Sequence, residues 1–400
     1  MTQPFSLLNP KCHGILKAVC SILFVIMVTG RNAAAQDKFN VIDKWLQFKN
    51  ASNSLYNDLA EQAFVMLGRR DSAIAKIQSL ESWKQRQQNT RKVLMDVVGP
   101  FPEKTPLNPR ITRRIKKEGF TIENIVYGSQ PGYYVTSSLF IPDGIKGKAP
   151  AIIDCIGHTD ISYQAPNYQH VILNLVKKGF IVFALDPVGQ GERVGYYDTA
   201  TGKSALGGST YEHSYPGVQA FITGSSLARY MIWDGIRAVD YLLARREVDP
   251  ERIGITGISG GGTQSSYIAA FDDRIYAAAP ENYITSFTRL LQSIGPQDAE
   301  QNMLHAIVRG LDHADLLEVR APKPALMITT TRDFFSIQGS RETAAEISRI
   351  YKAYGKAGNF NMVEDDTTHA FSKKNCEAIY AFFQKHLRNP GNPADLDIPP

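Results

Sequence analysis

The stretch Ile253-Gly254-Ile255-Thr256-Gly257-Ile258-Ser259-Gly260-Gly261 carries the reading of this chain. Ile253–Thr256 is a short apolar strand, and a helix follows the glycines. The pattern is G-x-S-x-G in the strand–turn–helix setting that gives it meaning. A serine at so sharp a turn is lifted above the end of the sheet. Side chains two residues before and after it would collide, so both positions need glycine. The helix that starts after Ser259 also turns its free N–H groups and positive dipole end toward the same point. The competing interpretation, a glycine-rich turn with a solvated serine, is weighed against the partners that follow.

A serine hydroxyl is a weak nucleophile and needs a base. With this turn the order along the chain is Ser, then Asp or Glu, then His. His369 lies in Asp365-Asp366-Thr367-Thr368-His369-Ala370-Phe371, after the last strand and before the last helix, where parallel sheets carry their sites. His305 and His313 stand in a polar helical stretch with no strand before them, and are expected to be surface or structural. His386 is expected to pack on the closing helix. The acid should follow the preceding strand, Ala325–Thr330. That makes Asp333 the carboxylate that holds one imidazole tautomer and stabilises the imidazolium. Asp365 and Asp366 are the runners-up. The oxyanion needs two preorganised N–H donors. One is expected from Gly260. The other is expected from the loop after the strand Ala151–Cys155, at His158, with Thr159 as second choice.

Outward from this centre, short apolar strands alternate with helices from about residue 120 onward. Phe120–Tyr127 and Tyr133–Ile141 read as a hairpin. Ile181–Asp186, Tyr276–Ala279 and Phe360–Glu364 read as further strands. Helices are expected around 168–178, 225–245, 342–354 and 372–387. The fold class is therefore α/β, a mostly parallel central sheet with helices on both faces. Residues 37–98 read as helical, with apolar stripes Leu55, Leu59, Ala63, Met66 and Ile74, Ile77, Leu80, Trp83. Gly99-Pro100-Phe101-Pro102 ends that region. The expected organisation is residues 1–35 as a signal peptide, 36–110 as an N-terminal helical region with a proline-rich linker, 111–388 as the catalytic domain, and 389–400 as a frayed tail.

The signal peptide rests on Lys11, His13 and Lys17 before an apolar run from Ala18 to Thr29, then Ala33-Ala34-Ala35 for cleavage. The run is short for a membrane span, which needs about 20 residues. An uncleaved anchor is the alternative. Removing residues 1–35 takes away Lys11, Lys17 and Arg31 and no acid, leaving 41 basic against 39 acidic residues. So small a net charge gives no argument for nucleic acid or an anionic membrane as partner. Hydrophobic residues at 43% and charged residues at 21% of 400 are enough for a large core. The two cysteines beyond residue 35, Cys155 and Cys376, make no disulfide framework and are expected to be buried.

Two tempting motifs fail. Gly202-Lys203-Ser204 resembles the end of a P-loop, but the required glycine is Tyr197. Gly189-Gln190-Gly191 hints at a dinucleotide fingerprint, but position 194 is Val. With no H-E-x-x-H and no C-x-x-C, no metal site is expected.

Several stretches share one pattern: Thr105-Pro106-Leu107-Asn108-Pro109, Asp186-Pro187-Val188-Gly189-Gln190-Gly191-Glu192-Arg193, Trp233-Asp234-Gly235-Ile236-Arg237, Gly257-Ile258-Ser259-Gly260-Gly261-Gly262 and Gly295-Pro296-Gln297-Asp298-Ala299-Glu300-Gln301. On these, the chain resembles the acetyl xylan esterase-like branch of the α/β-hydrolases over roughly residues 100–385. The resemblance implies ester hydrolysis by a Ser–Asp–His triad through an acyl-enzyme, without a cofactor. A carbohydrate ester is the implied substrate, most simply an acetylated polysaccharide. Uronate methyl- and glucuronoyl esterases are the alternative. Glucuronoyl esterases tend to carry Arg directly after the nucleophile, where this chain has Gly260. A prolyl-oligopeptidase-like peptidase would need propeller blades of about 40–45 residues each, for which 36–110 is too short. An inactive binding module is the remaining rival. Two long insertions, 190–224 and 281–312, are expected to cover the site. Glu192, Arg193, His213, Gln297, Asp298 and Glu300 are their candidate sugar-binding residues, and bracing of the loops is the competing role.

Overall fold

The computed structural model describes residues 51–389 and Asp397. The expected signal peptide, its expected cleavage site and most of the expected tail lie outside the described residues. Among these residues no helix is long and apolar enough to cross a membrane.

Two helices, α1 (Ser54–Ala75) and α2 (Leu80–Val98), precede the sheet. The stripe Leu55, Leu59, Ala63, Met66 is not the buried face of α1. Leu55 and Leu59 are exposed, and the buried residues are Ala60, Leu67, Arg70 and Ile74. Arg70 explains the difference. Its guanidinium donates to Asp315 at 2.8 Å and to Glu346 at 2.6 Å. A charged residue thus sits on the buried face, where a count of apolar positions would never place it. Farther on, Trp83 and Leu94 of α2 share one core cluster with Tyr267, Leu316, Ile347 and Tyr351. Gln87 donates to the carbonyls of Glu318 and Ala321. Residues 60–98 are packed on the same core as the helices that flank the sheet.

The sheet begins with β1 (Arg110–Lys117), a strand the sequence reading passed over. It carries five basic residues and is mostly exposed, as suits an edge strand defended by charge. There follow β2 (Phe120–Gln130), β3 (Tyr133–Pro142), β4 (Ala149–Cys155), α3 (Pro166–Lys177) and β5 (Ile181–Leu185). A small ribbon, β6 (Tyr197–Asp198) and β7 (Lys203–Ser204), leads to α4 (Ser209–Ile222) and α5 (Leu227–Leu243). Then come β8 (Val248–Ile258), α6 (Gly260–Phe271), β9 (Ala277–Glu281), α7 (Phe287–Ser293) and α8 (His313–Glu318). The chain ends through β10 (Ala325–Thr330), α9 (Ile337–Ala353), β11 (Phe360–Asp365) and α10 (Lys373–His386).

The nine-stranded sheet runs β1-β2-β3-β5-β4-β8-β9-β10-β11. Neighbours from β5 to β11 are parallel. The β1–β2, β2–β3 and β3–β5 pairs are antiparallel. Its central strands β4, β5, β9 and β10 are buried on both faces, which is why they read as continuous apolar runs. Ile152 and Ile258 pack with α3 and α10, while Ile153 and Ile255 pack with α5 and α6 on the other face. The connections from β4 and β8 leave in opposite directions along the sheet. The carboxyl ends of those two strands are therefore the switch point at which such a sheet opens a crevice. Cys155 and Cys376 are both buried and free.

Candidate active site

Ser259 stands between β8 and α6 with φ 60° and ψ −123°, a left-handed backbone that few non-glycine residues adopt. Its N–H donates to the carbonyl of Glu281 on β9 at 3.0 Å. The flanking glycines are required by space. A Cβ on Gly257 or Gly261 would overlap the carbonyl of Cys155 at the end of β4. The turn is held against the neighbouring strand so closely that only hydrogen fits.

His369 follows β11. Its Nδ1 lies 2.9 Å from each carboxylate oxygen of Asp333. Asp333 is buried and also accepts from the Phe335 N–H and the Thr330 hydroxyl, each at 3.0 Å. Phe334 covers the imidazole, with ring centroids 4.3 Å apart. The runners-up point elsewhere: Asp366 accepts from Thr331 at 2.6 Å and is exposed, and Asp365 caps the Asp366 N–H. Ser259 and His369 line one cavity without a hydrogen bond between them, a contact that in such sites commonly tightens only with substrate. His313 is buried beneath the site: Nδ1 accepts the Thr285 N–H, and burial pushes its pKa down to about 3. His305 is exposed, and His386 is half-buried against Phe382.

Opposite Ser259 runs the loop after β4. The Gly157 N–H is taken by the Tyr168 hydroxyl at 2.8 Å. Gln190, wholly buried, donates to the carbonyls of Gly157 and Thr159. These two side chains brace the loop, and sequence reasoning missed both. Gln190 is the centre of the Gly-Gln-Gly triplet set aside above as a failed nucleotide motif. Among the described residues neither the His158 N–H nor the Gly260 N–H has an acceptor.

The cavity has a volume of about 670 Å³. Its walls join Tyr168, Ile258, Phe334 and Phe371 to the polar groups of His158, Thr159, Asn167, Gln297, Asp298 and Gln301. Of the six candidate sugar contacts, Gln297 and Asp298 reach it. Four do not. Arg193 is buried elsewhere, donating to the Asp186 carbonyl and to Asp234 and lying over the Tyr133 ring. The Glu192 side chain is exposed, and its N–H ties to Asp186. His213 and Glu300 are fully buried behind the wall. In the 190–224 insertion Arg193 and His213 have partners within the protein, whereas the Glu192 side chain faces solvent.

Together, His158, His213, Asp298 and Glu300 form a cluster of groups able to ligate a metal. Burial favours the neutral imidazole of His158, but Glu300 and Asp298 outweigh it and lift its pKa to about 9. Burial raises the pKa of Glu300 against the pull of both histidines. No spacing motif could announce this cluster, since its members come from three separate segments.

With the fold and site described, comparison with known proteins becomes informative. The profile of the acetyl xylan esterase family matches residues 103–308. The chain belongs to the acetyl xylan esterase family. It is accordingly a carboxylic ester hydrolase of the carbohydrate-esterase kind on an α/β-hydrolase fold. YtaP of Bacillus subtilis (strain 168), a protein named as a hydrolase, is 23% identical over 321 residues, covering 74% of this chain and 98% of its own. Among solved structures, the methylesterase BT1017 matches this family member with TM-score 0.65 and 22% identity over 84% of this chain and 71% of its own. A glucuronoyl esterase from Solibacter usitatus matches with TM-score 0.56 and 14% identity over 78% and 94%. These two likenesses establish a shared fold.

Proposed function

We propose that this chain is a secreted serine esterase that removes acetyl groups from a polysaccharide or oligosaccharide, with Ser259, His369 and Asp333 as its triad. One observation carries the reading. Ser259 on its strained turn, His369 and His158 line a single cavity, with Asp333 held against His369 and the N–H groups of His158 and Gly260 without acceptors among the described residues. His369 Nε2 takes the Ser259 proton as Oγ attacks the ester carbonyl, and Asp333 stabilises the imidazolium. The developing oxyanion is met by the N–H groups of Gly260 and His158. The sugar alcohol leaves with the proton from His369. Water, deprotonated by the same imidazole, then releases acetate and restores Ser259. A cavity of about 670 Å³ that mixes aromatic wall with polar groups suits a sugar ring carrying a small acyl group. The reading divides the chain into a signal peptide (1–35), a helical region (36–110), the catalytic domain (111–388) and a tail (389–400). Acetate release from acetylated xylan, measured for the native chain and for Ser259→Ala, tests it. Release by the native chain alone supports the reading. Methanol release from methyl-esterified pectin with no acetate from xylan would replace it.

A further inference from the structure

We propose that His158, His213, Asp298 and Glu300 form a zinc site that ties the cover of the cavity to the loop bearing the proposed oxyanion donor. The distances come first. His158 Nε2 lies 2.8 Å from Asp298 Oδ2, 3.2 Å from His213 Nδ1 and 3.2 Å from Glu300 Oε1. His213 Nδ1 lies 2.9 Å from Asp298 Oδ2 and 3.8 Å from Glu300 Oε2. The four ligand atoms all fall within 4.8 Å of one another. Zinc bonds of about 2.0–2.2 Å in a tetrahedron separate ligand atoms by about 3.4 Å, so the set needs only small shifts to close around the ion.

The chemistry of the side chains points the same way. His213 Nε2 donates to the carbonyl of Val188 at 2.8 Å. That fixes the tautomer and leaves the Nδ1 lone pair facing the cluster, the arrangement usual for a metal-ligating histidine. Glu300 is 1% exposed, and neither of its oxygens has a hydrogen bond; nor does Asp298 Oδ1. A buried carboxylate without donors is costly. A divalent cation satisfies these oxygens together. Two imidazole nitrogens with two carboxylates favour zinc over calcium or magnesium, which prefer all-oxygen shells.

The placement gives the site a role. His158 belongs to the loop after β4, His213 to α4, and Asp298 and Glu300 to the turn at 298–301. Glu300 lies against the nucleophile's turn so closely that a Cβ on Gly260 would overlap Oε1. Zinc would therefore join both insertions to the loop after β4.

The test uses the tag-free chain, stripped with a chelator, dialysed and given Zn²⁺ alone. Bound metal per chain is measured by elemental analysis, and Co²⁺ substitution is followed by visible absorption. The expectation is one equivalent of zinc and the d–d bands of tetrahedral cobalt, with no competition from Mg²⁺ or Ca²⁺. His213→Ala and Glu300→Gln, checked for folding by circular dichroism, should each weaken zinc at least tenfold. Failure of the native chain to hold zinc at micromolar concentration overturns the proposal without reference to any variant. So does an equivalent that both folded variants keep at native affinity. Metal is read without any ester, so the outcome is separate from the triad reading.

Discussion

Asp333→Asn separates the proposed chemistry from the fold. In the native protein the carboxylate accepts the His369 Nδ1–H with both oxygens at 2.9 Å, the Phe335 N–H with Oδ1 and the Thr330 hydroxyl with Oδ2. Asparagine keeps one acceptor, which can retain the Phe335 N–H. Its amide can then donate to Thr330 once that hydroxyl turns. The fold should lose about 1 kcal/mol, one altered hydrogen bond. His369 fares worse. The amide NH₂ that replaces Oδ2 now stands 2.9 Å from Nδ1 and repels its proton, and the remaining oxygen, shared with the Phe335 N–H, is a weaker acceptor than the carboxylate, so the tautomer balance moves toward Nε2–H. The nitrogen facing Ser259 then donates where it must accept. In a serine-protease triad the same exchange lowers kcat about 10⁴-fold, which at 1.36 kcal/mol per decade is about 5 kcal/mol of barrier. The expectation here is a kcat loss of about 10³–10⁴ on a small activated acetate ester, with KM little changed. Thermal melting of the same sample checks the fold. Activity within tenfold of native would refute the argument. So would an equal loss in Asp365→Asn or Asp366→Asn, whose carboxylates have other partners.

Tyr168→Phe removes the acceptor of the buried Gly157 N–H and should cost about 1–3 kcal/mol in denaturant unfolding; by loosening the proposed oxyanion loop it should also lower kcat more than it raises KM. His313, held neutral by burial and further by Arg70, has its pKa down to about 3 in the fold against about 6.5 unfolded. The sign follows from that depression: the unfolded state takes up the proton first, so this contribution is complete above pH 6.5 and is lost as pH falls toward 3. Asp312, which burial pushes up to about 7, acts in the opposite direction, so the quantity to measure is the difference between native and His313→Asn. The native advantage should shrink on acidification from pH 6.5 by up to about 1.4 kcal/mol per pH unit, and a pH-independent difference would disprove the assignment.

Much of this molecule could be read from local pattern. The strands β4, β5 and β10 and the second half of β8 are apolar runs, and the elbow at Ser259 is a contiguous motif with a steric cause. Asp333 and His369 followed from chain order, since loops after successive parallel strands converge at one edge of a sheet. Errors arose where partners distant in sequence decide. β1 has only Ile111 and Ile115 as apolar residues, and it is a strand because β2 offers an edge. The buried face of α1 is set by Arg70, which Asp315 and Glu346 neutralise from more than 240 residues away.

The sequence by itself determined the class of fold, the strained turn at Ser259 and the placing of Asp333 and His369 in loops after successive strands, because backbone sterics and strand–helix periodicity act over a few residues. Tertiary structure alone decided what the polar residues of the insertions do. Arg193 could have met a sugar, but it lies against Asp234; His213 and Glu300 could have lined the cavity, but they are buried against His158 and Asp298, which do line it. A charged side chain leaves water only when the folded chain delivers a partner to the same place, and that meeting is written in no local stretch of the chain.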